Sequence, residues 1–212
     1  MKGLAPKTES IFHRLAALPC LEPYVMVGGT ALAMQLGTRL SEDLDFMKWR
    51  TSKDEIMEVA WPAIKRELES VAIIDNMNLL DFDHVEFFVE GVKISFYATG
   101  RCPTMQPIHI KENIRIADVR AIGVMKMEVL LRRTTFRDYY DIYSIIRSGI
   151  DLKEMMQMAL AHSNHKLKSK QLIALLTNGS RFNRDAAFEY LSPTYDVTPT
   201  EIELYIKSLL RP

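Results

Sequence analysis

The chain is poor in cysteine. Cys20 and Cys102 are its only two, they lie far apart, and neither belongs to a Cys-x-x-Cys pair or a zinc-ligand spacing. A disulfide framework and a zinc module are thereby excluded, and a reducing cytoplasm is the expected compartment. Long apolar runs are also missing. No stretch reaches the roughly 20 residues that cross a bilayer, so no membrane span is expected. The segment Met1–Lys7 leads into an amphipathic stretch and lacks the apolar centre of a signal peptide. Net charge is zero, from 27 basic and 27 acidic side chains, which argues against a protein that coats nucleic acid by bulk charge. Five histidines form no ligand-spaced cluster. Internal repeats and low-complexity segments are absent.

What is present is ordinary globular material: 212 residues, 48% hydrophobic and 25% charged, enough for one large domain or two small ones. Thr8 or Ser10 caps an expected first helix running through Leu18. Tyr24–Val27 reads as a buried strand, Gly28-Gly29 as a turn, and Ala31–Leu36 as a short helix closed by Gly37. Leu44–Lys48 is a second strand. Ser52 opens a predicted helix to about Glu69, bent near Pro62. Short strands follow at Val71–Ile74, Val85–Val89 and Val92–Tyr97, the last two joined by Glu90-Gly91 as a hairpin. Extended chain is expected again at Ile108–Ile110. Beyond Ala117 the pattern is helical. Asp118 caps a helix to about Arg133, and Thr135-x-x-Asp138 resembles a capping box opening the next, to Ile146. Further helices are expected near 151–162, 168–177, 182–191 and 199–210. The fold class is therefore α+β, a mixed sheet with flanking helices over residues 1–115 followed by a helical domain over 116–212.

Two stretches carry chemistry. Asp43-Leu44-Asp45-Phe46 alternates acid with apolar side chain, so on a strand Asp43 and Asp45 share one face, as a divalent metal requires. Gly28-Gly29-Thr30, between a strand and a helix, can bring backbone N–H groups close to a phosphate. Each signal alone has a plainer meaning. Asp81-Phe82-Asp83 shows the acidic spacing elsewhere, and paired glycines also make simple turns. Together, with Arg39 and Ser41 between them as a guanidinium fork and a hydroxyl, they point to one nucleotide with its metal. In the helical half, Lys126, Arg133 and Arg137 would share a face of an unbroken helix and oppose the aspartates. Asp138 and Asp141 fit that site or an ion-pair network with Arg137 equally well. The basic stretch His162–Lys170, which includes His165, reads as a solvated loop before an RNA contact, and the methionines as adaptable core filling.

Gly-Gly-Thr followed by Arg-x-Ser-x-Asp-x-Asp-Phe resembles the AbiEii/AbiGii toxin family of the polymerase-β-like nucleotidyltransferases. Lys126 through Asp141 resembles that family's second signature, Lys…Arg…Arg-Asp-x-x-Asp, and the likeness spans about residues 24–147. It implies a nucleotidyltransferase-type sheet in which Gly28, Gly29 and Thr30 hold the triphosphate and Asp43 and Asp45 bind Mg2+. Lys126 would contact phosphate, and Arg137-Asp138 would complete the site. Asp43, Asp45, Lys126, Arg137 and Asp138 are thus the catalytic candidates. Gly28, Gly29, Thr30, Arg39, Ser41 and Arg133 are the nucleotide-binding ones. The implied reaction moves an NMP from an NTP to a hydroxyl, with an RNA or tRNA end as acceptor and a separately encoded antitoxin as partner. One departure stands out. Such enzymes usually carry a third carboxylate on a later strand, and the inward polar position of Val92–Tyr97 is Ser95, which cannot ligate or accept a proton as a carboxylate does. Glu86 and Glu90 are the nearby substitutes. The departure also admits a nucleotide-binding module without turnover, or a transferase acting on a small molecule.

Overall fold

The computed structural model describes residues 1–164, 166–184 and 186–211. His165 of the basic stretch lies outside them. Seven strands form one mixed sheet: β1 (Val25–Val27), β2 (Leu44–Trp49), β3 (Ile74–Asp81), β4 (His84–Val89), β5 (Val92–Thr99), β6 (Ile108–Lys111) and β7 (Ile114–Ile116). Their spatial order is β3-β4-β5-β2-β1-β7-β6. β2 runs antiparallel to β1 and parallel to β5, and β1 runs parallel to β7. Parallel β2–β5 pairing needs a long crossover, and the chain between Trp49 and Val92 supplies it, carrying the β3–β4 hairpin out to the sheet edge.

One sheet face is apolar. Val85, Phe87, Val89, Ile94, Phe96, Leu44 and Phe46 are buried there, with Phe46 and Phe96 stacked and Phe87 edge-on to Phe96. The buried sides of α1 (Pro6–Leu15) and α3 (Trp61–Glu69) belong to the same core. Asp45 of β2 and Lys93, Ser95 and Tyr97 of β5 alternate with these apolar residues, and the opposite face that they share carries the site. α2 (Gly28–Leu36), α4 (Val119–Val129) and α5 (Phe136–Arg147) pack on one another beside β1 and β2. α6 (Leu152–His162), α7 (Ser169–Leu176), α8 (Ala186–Glu189) and α9 (Pro199–Leu210) complete the helical half. Its centre is aromatic: Tyr139 stacks on Phe182, and Phe136 and Tyr140 meet Phe188.

Several element boundaries differ from expectation for local reasons. α1 opens at Pro6 without a side-chain cap, because proline needs no N–H partner at a first-turn position. No helix runs from Ser52. Glu55 instead accepts from the Thr51 amide at 2.7 Å and from its hydroxyl at 2.9 Å. Pro62 starts α3 and does not bend it. β3 lies later than expected, since Asp75, Asn76 and Asn78 put polar groups on a half-exposed edge strand and hide its period. β7 has three residues, too few to show a pattern. Of the predicted helix at 182–191, which includes residue 185 outside the described residues, α8 (Ala186–Glu189) is what the described residues form. At α5, Thr135 is the N-cap but forms no side-chain cap bond, because Asp138 points into the site and not back to the helix end. At α9 the capping box does form, through Thr198 and Glu201.

Candidate active site

β2 brings Asp43 and Asp45 to the polar face, and its parallel register sets Asp45 opposite Ser95 and Met47 opposite Tyr97. Lys93 occupies the same face two residues before Ser95. α2 starts at Gly28 itself, directly after β1, so both glycines lie in the first helical turn and no separate turn precedes it. No side chain caps that end, which leaves its amides and the positive end of the helix dipole free for an anion. Gly28 has φ +72°, and a Cβ there would lie 2.6 Å from Asp45 Oδ2. A Cβ on Gly29 would meet the Arg39 guanidinium at 2.4 Å. Close approach thus restricts both glycines, and backbone conformation restricts Gly28 as well.

Between this edge and α4–α5 lies a cavity of about 470 Å3, bordered by Gly28, Gly29, Arg39, Ser41, Asp43, Asp45, Lys93 and Tyr97 on the sheet side. Lys126, Arg132, Arg133, Arg137 and Asp138 border it from the helices, and Met47, Ile122, Met125 and Val129 give it an apolar wall. Thr30 stands behind the cavity. Its buried hydroxyl bonds Ser41 Oγ at 2.8 Å and donates to the Asp43 carbonyl, fixing the entry to β2.

The charged groups form a chain. Arg39 donates to both oxygens of Asp141 at 2.8 Å, with both side chains 1% exposed. Lys126 Nζ reaches Asp141 at 2.8 Å and Asp138 at 2.7 Å. Arg133 closes on Asp138 at 2.7 and 3.1 Å from its more exposed side. Burial pushes the Asp141 carboxyl up, but Arg39 and Lys126 outweigh it and hold the group at about 2. For Lys126, burial favours the neutral amine, and Asp141 and Asp138 reverse that, so it is held charged. Arg137 takes no part in this network, contrary to the ion-pair alternative, and faces the cavity. Two helices are present, as expected, and no unbroken helix runs through Lys126, Arg133 and Arg137: α4 ends at Val129, short of the expected Arg133, and the chain turns before α5. Lys126 and Arg133 still converge, because Asp138 binds both.

Asp45 is the inverse case. Burial pushes its carboxyl up, Lys93 counters this, and Asp43 adds to the rise. A half-buried carboxylate so placed favours a cation. Asp43 and Asp45 on one face, with the Gly28 notch beside Asp45, fit a hard divalent ion whose other ligands come from phosphate and water. Among the described residues no cluster of three or more His, Cys, Asp or Glu side chains could hold a metal. The third-acid position is Ser95, fully buried, its Oγ without a hydrogen-bond partner. Glu86 lies directly across from Ser95 on β4, and its carboxylate is 3.8 Å from Lys93 Nζ. Glu90 sits in the hairpin turn, paired with Arg14 at 2.6 Å away from the site. Lys93, Tyr97 and Arg132 were not visible as site residues in the sequence. Lys93 and Tyr97 could have been found from strand alternation about Ser95; Arg132 has no such signal.

A glycine-opened strand–helix notch, a pair of aspartates and an opposing cationic wall thus meet at one cavity, in a fold of the nucleotidyltransferase class. The sequence profile described as nucleotidyl transferase AbiEii toxin, type IV TA system, matches residues 11–192, and the chain belongs to this toxin–antitoxin family. An uncharacterized protein of Aquifex aeolicus is 25% identical over 161 residues, covering 74% of this chain and 75% of its own. The nucleotidyltransferase toxin MenT4 of Mycobacterium tuberculosis superposes with a TM-score of 0.59 at 12% identity, over 92% of this chain and 79% of MenT4. The polyadenylate synthase of Megavirus gives 0.45 at 11% identity, over 74% of this chain and 37% of that one. No helix among the described residues is long and apolar enough to cross a membrane.

Proposed function

We propose that the chain transfers an NMP from an NTP to an acceptor hydroxyl, with Mg2+ held by Asp43 and Asp45. The observation that carries this reading is the placement of those two carboxylates against the uncapped, glycine-opened end of α2, with cations across the cavity. Bound there, Mg2+ would offset charge on the phosphate oxygens. Gly28 and Gly29 present amides to the triphosphate, and Arg137, Arg132 and the exposed edge of Arg133 meet its outer charge. Lys126, held by Asp138 and Asp141, presents a fixed positive charge at the cavity floor. Thr30 and Ser41 hold the loop that aims Asp43, and Arg39 ties the same α2–β2 loop to α5 through Asp141. The acceptor oxygen bonds to the α-phosphorus, the α–β bridging P–O bond breaks, pyrophosphate leaves, and the hydroxyl proton passes to solvent.

The acceptor we infer is an RNA end, such as that of a tRNA, in the cytoplasm, with a separately encoded antitoxin restraining the activity. The toxin–antitoxin family membership supports this. In our reading residues 1–115 supply the metal and phosphate groups and 116–212 the opposing cations. Incubation with each labelled NTP and total RNA tests the proposal. The wild type should label one RNA class, and Asp43→Asn with Asp45→Asn should abolish labelling. Undiminished labelling by the double variant refutes the mechanism. Ser95 favours one second reading, a nucleotide-binding module without turnover. It predicts NTP binding with no labelled product from any RNA pool or small hydroxyl compound.

A further inference from the structure

We propose that Lys93 is the resident cation of this centre, its ammonium standing where a second divalent ion would otherwise be needed, so that the chain works with one metal ion. The inference rests on the transferase reading above and specifies how that site is charged.

Transferases that use two ions hold them about 3.5–4 Å apart and need enough carboxylate to bind both. Here the described residues supply Asp43 and Asp45 at the notch, and the position that would complete the set is Ser95. Two carboxylates neutralise one divalent ion. A second ion would have no full set of protein ligands.

Lys93 fills the gap. Strand alternation puts it on the same face as Ser95. Its Nζ is 3.8 Å from Asp43 Oδ2 and 3.8 Å from Glu86 Oε1, and it borders the cavity. It is also the charge that most opposes the effect of burial on Asp45. At such distances one fixed positive charge acts on the reacting phosphate and acceptor oxygens much as an ion does, with no ligand set to assemble. Glu86, which might have served as the missing acid, instead steadies the ammonium from the far side. His84 stacks on Tyr97 at 4.2 Å and stands 3.8 Å from Glu86, so this outer edge is itself held in place.

Removing the ammonium leaves Asp43 and Glu86 facing each other across its place, which is a vacant two-carboxylate site. The experiment counts Mn2+ by electron paramagnetic resonance in the presence of non-hydrolysable NTP analogues. Wild type should bind one Mn2+ per chain. Lys93→Met should bind a second, lose at least tenfold in transfer rate, and bind its first Mn2+ in the nucleotide-free state about tenfold more tightly. Adding Glu86→Gln to Lys93→Met should remove the second ion. The half-exposed position of Lys93 makes the methionine tolerable, and a thermal melt checks folding. Two ions in the wild type overturn the proposal, as does a single ion in Lys93→Met. Failure of the transferase reading looks different: wild type would transfer no NMP to any acceptor, whether or not it binds Mn2+–NTP, while the ion count still tests Lys93.

Discussion

Asp141→Asn is the sharpest probe of how the helical half is fastened to the sheet. Asp141 is 1% exposed and accepts two bonds from Arg39 and one from Lys126, all at 2.8 Å. Asparagine keeps the shape, removes the charge, and turns an N–H2 toward donors. Arg39 and Lys126, 1% and 7% exposed, would be left as under-compensated buried cations. Breaking such a pair costs about 3–5 kcal/mol. The carboxyl itself gives a second measure. Held at about 2 against an ordinary 3.8, its charged form is favoured by roughly 2 kcal/mol. With a urea dependence of about 2–3 kcal/mol/M, the unfolding midpoint should fall by about 1–2 M at unchanged slope. The sign with pH follows from the depressed value. The contribution is complete above the unfolded 3.8 and is lost as pH falls through about 2. The gap between wild type and variant should therefore hold from pH 7 to about 4.5 and narrow below 4. A midpoint shift under about 0.3 M, or a gap that persists unchanged at pH 2, would refute the account.

Two further perturbations separate site from scaffold. Gly28→Ala forces a side chain into φ +72° and sets its Cβ 2.6 Å from Asp45 Oδ2. It should cost about 1–2 kcal/mol in a thermal melt and weaken Mg2+–NTP binding about tenfold by calorimetry; unchanged binding would remove Asp45 from the metal site. Arg132→Ala and Arg137→Ala remove cavity-facing guanidiniums that form no ion pair among the described residues. Each should lower NTP affinity about fivefold at low salt, less at high salt, and leave the urea midpoint unchanged. A loss that ignores salt would speak against a charge role.

Where side-chain period and caps are strong, the sequence was enough. The apolar-rich run Val85–Val89, the Glu90-Gly91 turn and the Asp118 cap located the β4–β5 hairpin and the start of α4. Where a local group had a better partner elsewhere, it was not enough. Glu55 turned back to Thr51 in an exposed turn, and Asp138 left its helix end for Lys126 and Arg133, where a buried charge-assisted bond outweighs a solvent-exposed cap. Edge strand β3 stayed hidden because both of its faces carry polar groups.

The same division runs through the site. The sequence by itself determined which groups are available: two aspartates two apart on a strand, two glycines at a strand–helix junction, and basic residues around Arg-Asp-x-x-Asp. It also determined that no third acid stands on β5. Tertiary structure alone decided who faces whom. Parallel pairing of β2 with β5 set Asp45 opposite Ser95 and brought Lys93 to Asp43, a pairing across about 50 residues that no local pattern encodes. Packing of α5 on α2 joined Arg39 to Asp141, 102 positions away. Side-chain chemistry is local, but charge compensation depends on distance in space, and only the fold sets that distance.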